Sequence, residues 1–185
     1  MLSWLHLLWI IPISATIGAI LMAIIATNNI DFYESVCTRL KIRVKKLHDD
    51  AVVPTLGSQG AAGADLYAYL PGKEPVEIRP HETVMIGSGV AVSIPNDYWG
   101  GVFARSGLAS KNGLAPANKV GVVDPDYRGE VKVALHNHSD ELQVVRHGDR
   151  IAQFVVVPLP KVEYEETEEL DDTERGAGGF GHTGA

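Results

Sequence analysis

Arg105, Ser106 and Gly107 stand in a row: a guanidinium, a hydroxyl and a residue with no side chain. That trio suits an oxyanion. Charged donors make short, strong hydrogen bonds to anionic oxygen, and glycine lets the backbone N–H come close. A second such stretch closes the chain, Arg175-Gly-Ala-Gly-Gly-Phe-Gly-His-Thr-Gly184, with five glycines in ten residues. Successive backbone N–H groups form anion-binding concavities. Arg175 adds a fork-shaped charge matched to phosphate, and Phe180 offers a flat apolar face to a ring. Between these stretches lies Asp124, which follows Val122 and Val123 and opens an Asp-Pro-Asp turn. A carboxylate there can align or deprotonate a water beside phosphorus. Donors for phosphate and an acid for water are the parts needed to hydrolyse a phosphoanhydride.

The chain that must position these groups has 185 residues, room for one domain and an extra segment. Its one cysteine, Cys37, excludes an internal disulfide, and no Cys/His cluster has zinc spacing. His136 and His138 alternate as residues of a surface strand do. The formal net charge is −7, unevenly spread. Residues 1–46 carry Arg39, Lys41, Arg43, Lys45 and Lys46 against Asp31 and Glu34, so the remainder is strongly acidic. An acidic domain repels a nucleic-acid backbone, so DNA and RNA are not expected partners.

From Met1 to Ile30 no side chain is charged, and Trp4 to Ala26 is almost continuously apolar. About 20 such residues can cross a bilayer as a helix. A cleaved signal would begin with basic residues, and none precede the run. Residues 1–27 are therefore expected to form a transmembrane anchor, with the lipid bilayer contacted by residues 4–26 and residues 28–40 as a juxtamembrane linker. The basic cluster after the span keeps the following domain cytoplasmic by the positive-inside rule.

After residue 40 no helical period persists. Short runs rich in valine and isoleucine alternate with Gly, Pro, Asn and Asp. They predict strands at Lys41–Leu47, Val76–Ile78, Thr83–Ile86, Val90–Ile94, Trp99–Ala104, Glu130–Asn137, Leu142–Val145 and Ile151–Val157, with a helical turn at Ala109–Gly113. Such a pattern reads as all-β, a sandwich or jelly roll, occupying residues 41–162. Residues 163–174 hold eight acidic side chains and read as a solvated tether for the glycine-rich tail at residues 175–185.

Five blocks occur in order: Ala62-Gly-Ala-Asp-Leu-Tyr-Ala68, Arg105-Ser-Gly-Leu-Ala109, Gly121-Val-Val-Asp-Pro-Asp-Tyr-Arg-Gly-Glu130, Gly148-Asp-Arg-Ile-Ala-Gln153 and the glycine-rich tail. Together they closely resemble the five motifs of the trimeric dUTPases, over roughly residues 41–185. The resemblance implies a distorted jelly roll of the β-clip type, a homotrimer, and hydrolysis of dUTP to dUMP and pyrophosphate. That activity limits uracil incorporation into DNA and supplies dUMP for dTMP synthesis.

The resemblance also implies roles. Asp124 orients the water that attacks the α-phosphate. Tyr127 lies against the deoxyribose, where a 2′-hydroxyl would clash. Asn118 and the hairpin through Val122 and Val123 form the uracil pocket, with Lys132 lining it through its backbone. Backbone groups cannot exchange donor for acceptor, so cytosine would leave buried polar groups unpaired. Arg105, Ser106, Gly107 and Gln153 contact phosphates. Asp65 lies near Mg2+, through water, since magnesium keeps much of its hydration. Asp126, Asp149 and Arg150 read as structural.

The tail then serves as a lid. Arg175 contacts the terminal phosphates, Phe180 stacks on uracil, and Gly181 and Thr183 donate hydrogen bonds. His182 departs from the serine common in the family. Two rivals remain at this level: a dCTP deaminase-like enzyme of similar fold, and a non-catalytic nucleotide-sensing regulator tethered to the membrane.

Overall fold

A computed structural model describes residues 40–179. The expected anchor, nearly all of the linker, and Phe180, Gly181, His182 and Thr183 of the lid lie outside the described residues. Among the described residues, no helix is long and apolar enough to cross a membrane.

Eleven strands and one α-helix follow in order among these residues. They are β1 (Arg43–Lys46), β2 (Thr55–Leu56), β3 (Ala64–Tyr67), β4 (Val76–Ile78), β5 (Thr83–Ser93), β6 (Tyr98–Phe103), α1 (Ser106–Asn112), β7 (Leu114–Pro116), β8 (Gly121–Val123), β9 (Glu130–Asn137), β10 (Gln143–Val145) and β11 (Arg150–Pro158). A single 3-10 turn, Pro71–Lys73, precedes β4. A four-stranded sheet runs β1-β5-β9-β7, a five-stranded sheet runs β2-β3-β11-β6-β8, and β10 pairs with β4. The pairings are antiparallel. β11 packs onto β7 and β9 and so joins the two larger sheets.

Alternation makes the core. In β9, Val131, Val133, Leu135 and Asn137 are buried while Glu130, Lys132, Ala134 and His136 face away. Leu66, Ile78, Ile86, Val90 and Ile151 join them, each fully buried. Every second side chain of a strand takes the same face, so one register fixes all of these together.

The sequence predicts two strands at Thr83–Ile86 and Val90–Ile94. The structure has one, β5, with its register to β9 shifted between Gly87 and Ala91. Gly89 sits there at φ +67, a backbone region open to glycine, with Ala51 and Tyr69 packed where a side chain would be. The glycines bend a strand rather than end it. Gly100 in β6 leaves room for the ring of Phe154 in β11. The helical turn expected at Ala109–Gly113 is a full helix that starts earlier, at Ser106, and is closed by Gly113 at φ +67, whose N–H reaches Ala109 O at 3.1 Å. Four strands, β2, β3, β7 and β8, lie in stretches that composition does not mark as strands.

Past Pro158 the chain leaves the sheets. Residues 159–177 are exposed and carry neither strand nor helix.

Candidate active site

β8 is an edge strand of the five-stranded sheet, with Gly100 opposite Val123 and Gly101 opposite Val122. Asp124 follows directly, so β6 and β8 fix where it emerges. The chain then turns back into β9 through residues 124–129. Tyr127 N–H donates to Asp124 O at 3.1 Å, and the Tyr127 hydroxyl donates to Glu130 O at 3.0 Å. Arg128 Nη1 donates to Pro125 O at 2.6 Å and to Tyr127 O at 2.8 Å. A Cβ at Gly129 would come within 2.6 Å of Tyr127 Cζ, so only glycine lets the ring fold over this turn.

This turn forms one wall of a hollow of about 330 Å³ lined by Val122, Val123, Asp124, Tyr127, Val131 and Lys132, with Met85 and Glu130. Five residues named from the sequence, Val122, Val123, Asp124, Tyr127 and Lys132, thus share one cavity. Asp124 and Tyr127 are exposed at it. Sequence reasoning missed Met85, Glu130 and Val131. Glu130 Oε1 accepts Gly89 N–H at 2.8 Å, and its Oε2 lies 3.6 Å from Lys132 Nζ. The period of β9 was the available signal, since it puts Glu130 and Lys132 on one face. Asn118 is not at this hollow. It is exposed on the turn between β7 and β8, beside Gly121.

A second group assembles on β3, β11 and the end of β6. Gln153 of β11 sits in register between Asp65 of β3 and Phe103 of β6, and facing residues of neighbouring strands share a face. Asp65 is 4% exposed, and both of its oxygens meet arginines. Arg105 Nε donates to Oδ1 at 2.8 Å, and Arg150 Nη1 donates to Oδ2 at 3.2 Å. The resemblance puts Asp65 near a magnesium ion; the fold gives it to two guanidinium groups. Arg150 has this structural pairing within the chain, while Asp149 Oδ2 accepts Arg146 N–H at 2.7 Å in its own turn. Ser106 and Gly107 open α1 and are exposed. Arg105, Leu108, Asn112, Asp149 and Arg150 help line a hollow of about 340 Å³.

The two hollows share no lining residue. Arg175 lines neither; its Nε donates to Gly178 O at 2.7 Å within the tail. Among the described residues no group of three His, Cys, Asp or Glu could hold a metal.

Chemically, the first hollow pairs an apolar wall with an exposed carboxylate and an aromatic ring, and the second offers cations locked in place by a buried acid. The profile of the dUTPase family matches residues 49–184. The deoxyuridine 5'-triphosphate nucleotidohydrolase of Hydrogenobaculum sp. is 46% identical over 145 residues, 78% of this chain and 99% of that protein. That of Caulobacter vibrioides is 47% identical over 147 residues, 78% of this chain and 95% of its own. Among solved structures, a dUTPase mutant of Staphylococcus bacteriophage 80alpha with dUpNHpp aligns with a TM-score of 0.69 at 29% identity, over 80% of this chain and all of that one. A mutant dUTPase from phage phi11 of S. aureus, described with a structural Mg(II) ion, aligns at 0.64 and 26% identity, over 72% of this chain and 100% of its own.

Proposed function

The chain belongs to the dUTPase family, and from that premise we propose how its residues divide the work. It is a nucleotide hydrolase, converting dUTP to dUMP and pyrophosphate. Asp124 aligns, and takes a proton from, the water that attacks the α-phosphorus. The observation that carries this role is the exposed carboxylate of Asp124 on the hollow that Tyr127, Val122, Val123 and Lys132 line. Its volume of about 330 Å³ lies at the lower end of the range for small-molecule sites, in keeping with a nucleoside and not a whole triphosphate. Tyr127 excludes a 2′-hydroxyl by contact with the sugar. The backbone of β8, with that of Lys132, selects uracil, and Asn118 supports the turn beside it.

Arg105, Ser106, Gly107 and Gln153 take the phosphates. Asp65 serves them by fixing the guanidinium of Arg105. The hollows share no residue, which supports a homotrimer in which one subunit supplies the nucleoside hollow and another the phosphate loop. The tail of a third closes the site: Arg175 on the terminal phosphates, Phe180 on uracil, Gly181 and Thr183 as donors, with the His182 imidazole in place of a hydroxyl.

Magnesium prefers six oxygens and retains waters. The described residues gather no ligand group for it, and Asp65 is committed to arginines. These residues do not fit a protein-held ion. Mg2+ fits as part of the substrate, bound to triphosphate oxygens, where it neutralises charge.

The charge-free run at residues 4–26 and the basic residues after it support a membrane anchor with the enzyme on the cytoplasmic side. Fractionation of the full-length chain, with dUTP hydrolysis measured in both pools, tests the anchor. For the site, pyrophosphate release is measured with dUTP and dCTP for wild type and Asp124→Asn. We expect dUTP alone to be cleaved, and the variant to be slower by a factor on the order of 10²–10⁴. A variant as fast as wild type removes Asp124 from the reaction.

A further inference from the structure

We infer that Glu130 is a positioning residue for the reaction. Its carboxylate latches the bulge of β5 to the start of β9 and so holds the Asp124–Gly129 turn at the hollow. The inference rests on the reading of Tyr127 given above and adds what keeps that ring in place.

Glu130 stands where the turn ends and β9 begins. Its main chain serves the turn: the carbonyl oxygen accepts the Tyr127 hydroxyl at 3.0 Å. Its side chain serves β5: Oε1 accepts the Gly89 N–H at 2.8 Å. The bulge makes that donor available. Between Gly87 and Ala91 the ladder from β5 to β9 slips, so residues 88–90 have no partners on β9. A partly buried N–H without an acceptor is costly, and a carboxylate is a strong acceptor for it.

The bulge is also shaped to receive the carboxylate. A Cβ at Gly87 would meet Glu130 Cδ at 3.1 Å and Oε2 at 3.3 Å, so the missing side chain is the seat. Gly87 has no positive φ, so it is space, not backbone conformation, that calls for glycine there. Next to it Ser88, fully buried, donates its hydroxyl to Val131 O at 2.6 Å. The bulge thus grips two successive residues, Glu130 and Val131, and both line the hollow with Asp124 and Tyr127. Oε2 lies 3.6 Å from Lys132 Nζ, so the same carboxylate restrains the amine of a third lining residue. The Glu130 side chain is only 20% exposed, which strengthens these contacts. Without the latch, the first residue of β9 is free to shift, and with it the carbonyl that the Tyr127 hydroxyl binds. Exclusion of a 2′-hydroxyl by contact tolerates no slack in the ring, so sugar discrimination is what suffers.

The test uses the full chain in detergent, as wild type, Glu130→Ala, Glu130→Gln, Gly87→Ala and the double variant Gly87→Ala with Glu130→Ala. Kinetics are measured with dUTP and UTP, and deuterium uptake is followed at the Gly89 and Tyr127 amides. Glu130→Ala should lower the ratio of kcat/KM for dUTP over UTP about tenfold. It should also speed uptake at both amides by about tenfold or more. Glu130→Gln keeps an oxygen for the Gly89 N–H and should restore most of the ratio and of the protection. Gly87→Ala keeps the carboxylate but fills its seat, and should reproduce the Glu130→Ala behaviour. In the double variant the losses should not add, because both break one contact. Faster uptake at Gly89 alone, with Tyr127 uptake and the sugar ratio as in wild type, overturns the inference, since Glu130 then serves β5 only. Additive losses, or a Glu130→Gln variant as impaired as Glu130→Ala, overturn it too. If wild type cleaves no dUTP, the hydrolase reading fails by itself, and uptake at Gly89 and Tyr127 in the variants still decides the latch.

Discussion

Asp65→Asn separates two roles for this carboxylate, holding arginines or serving a metal. The substitution keeps size and shape. One amide oxygen can still accept from Arg105, now 2.8 Å from Oδ1, but without charge assistance. The other position becomes an NH2 group facing Arg150 Nη1 across 3.2 Å, donor against donor. A hydrogen bond to a charged group contributes about 1.5–3 kcal/mol, and the Arg105 side chain is only 25% exposed, so most of that is at stake. The Arg150 side chain is 52% exposed and can turn to water, so its share is that of a surface pair, about 0.5 kcal/mol. The total is about 2–3 kcal/mol, or a fall in Tm of about 10 °C for a domain of this size. With Arg105 no longer held, KM for dUTP should rise about tenfold, while kcat falls less. Thermal unfolding and steady-state kinetics at several Mg2+ concentrations check both. If Tm stays put and added Mg2+ restores KM, Asp65 serves the metal and the arginine argument is wrong.

Gly129→Ala should push the Tyr127 ring off the turn, because its methyl has no room beside Cζ. The ratio of kcat/KM for dUTP over UTP should drop about tenfold through the lost sugar clash, and an unchanged ratio would take Tyr127 out of sugar selection. Asn137→Ala removes a fully buried amide whose Nδ2 donates to Ile78 O and Glu141 O and whose Oδ1 accepts from Ser139. Leaving those groups unpaired should cost about 3 kcal/mol in denaturant unfolding. His138 is held below its ordinary range of 6.5 by desolvation and then by the nearby His136, Lys119 and His81. The fold therefore favours the neutral ring, so its stability contribution is present above about pH 6.5 and is lost as pH falls from there toward the lower folded value. Tm measured from about pH 7.5 to 5.5 should decline less in His138→Asn than in wild type.

The strands that sequence made visible are those whose side chains alternate over a long buried face, such as Glu130–Asn137. The hidden ones are short or built from small residues. β8 is Gly121-Val-Val123, and two apolar residues set no period; only pairing with β6 makes it a strand. β5 misled for another reason. Gly87 and Gly89 look like a break, yet pairing on both sides carries the strand through them. At the candidate site, the nearness of Asp124, Tyr127 and Lys132 was legible because the first two stand in the motif Gly121–Glu130 and Lys132 follows it by two residues. The role of Asp65 was not. Its partners Arg105 and Arg150 are 40 and 85 residues away, and no local pattern brings them together.

Exposure at the Asp124 hollow supports the proposal that the reaction uses more than one chain. Met85 is 60% exposed, Val122 64% and Tyr127 44%, all on the same cavity. Apolar groups left open in one place mark a surface that something covers. Asp124 is open there too, and a carboxylate bathed in bulk water directs no particular molecule of it. On the proposed reading, a nucleoside against Val122 and Tyr127 excludes water from one side of Asp124. In the proposed trimer, phosphates held by Arg105 of another subunit fix the phosphorus, and the glycine-rich tail closes over the remainder. Each contact alone is modest, but only together do they leave Asp124 one water in line with one phosphorus, and positioning of that kind is where a hydrolase of unactivated side chains finds its rate.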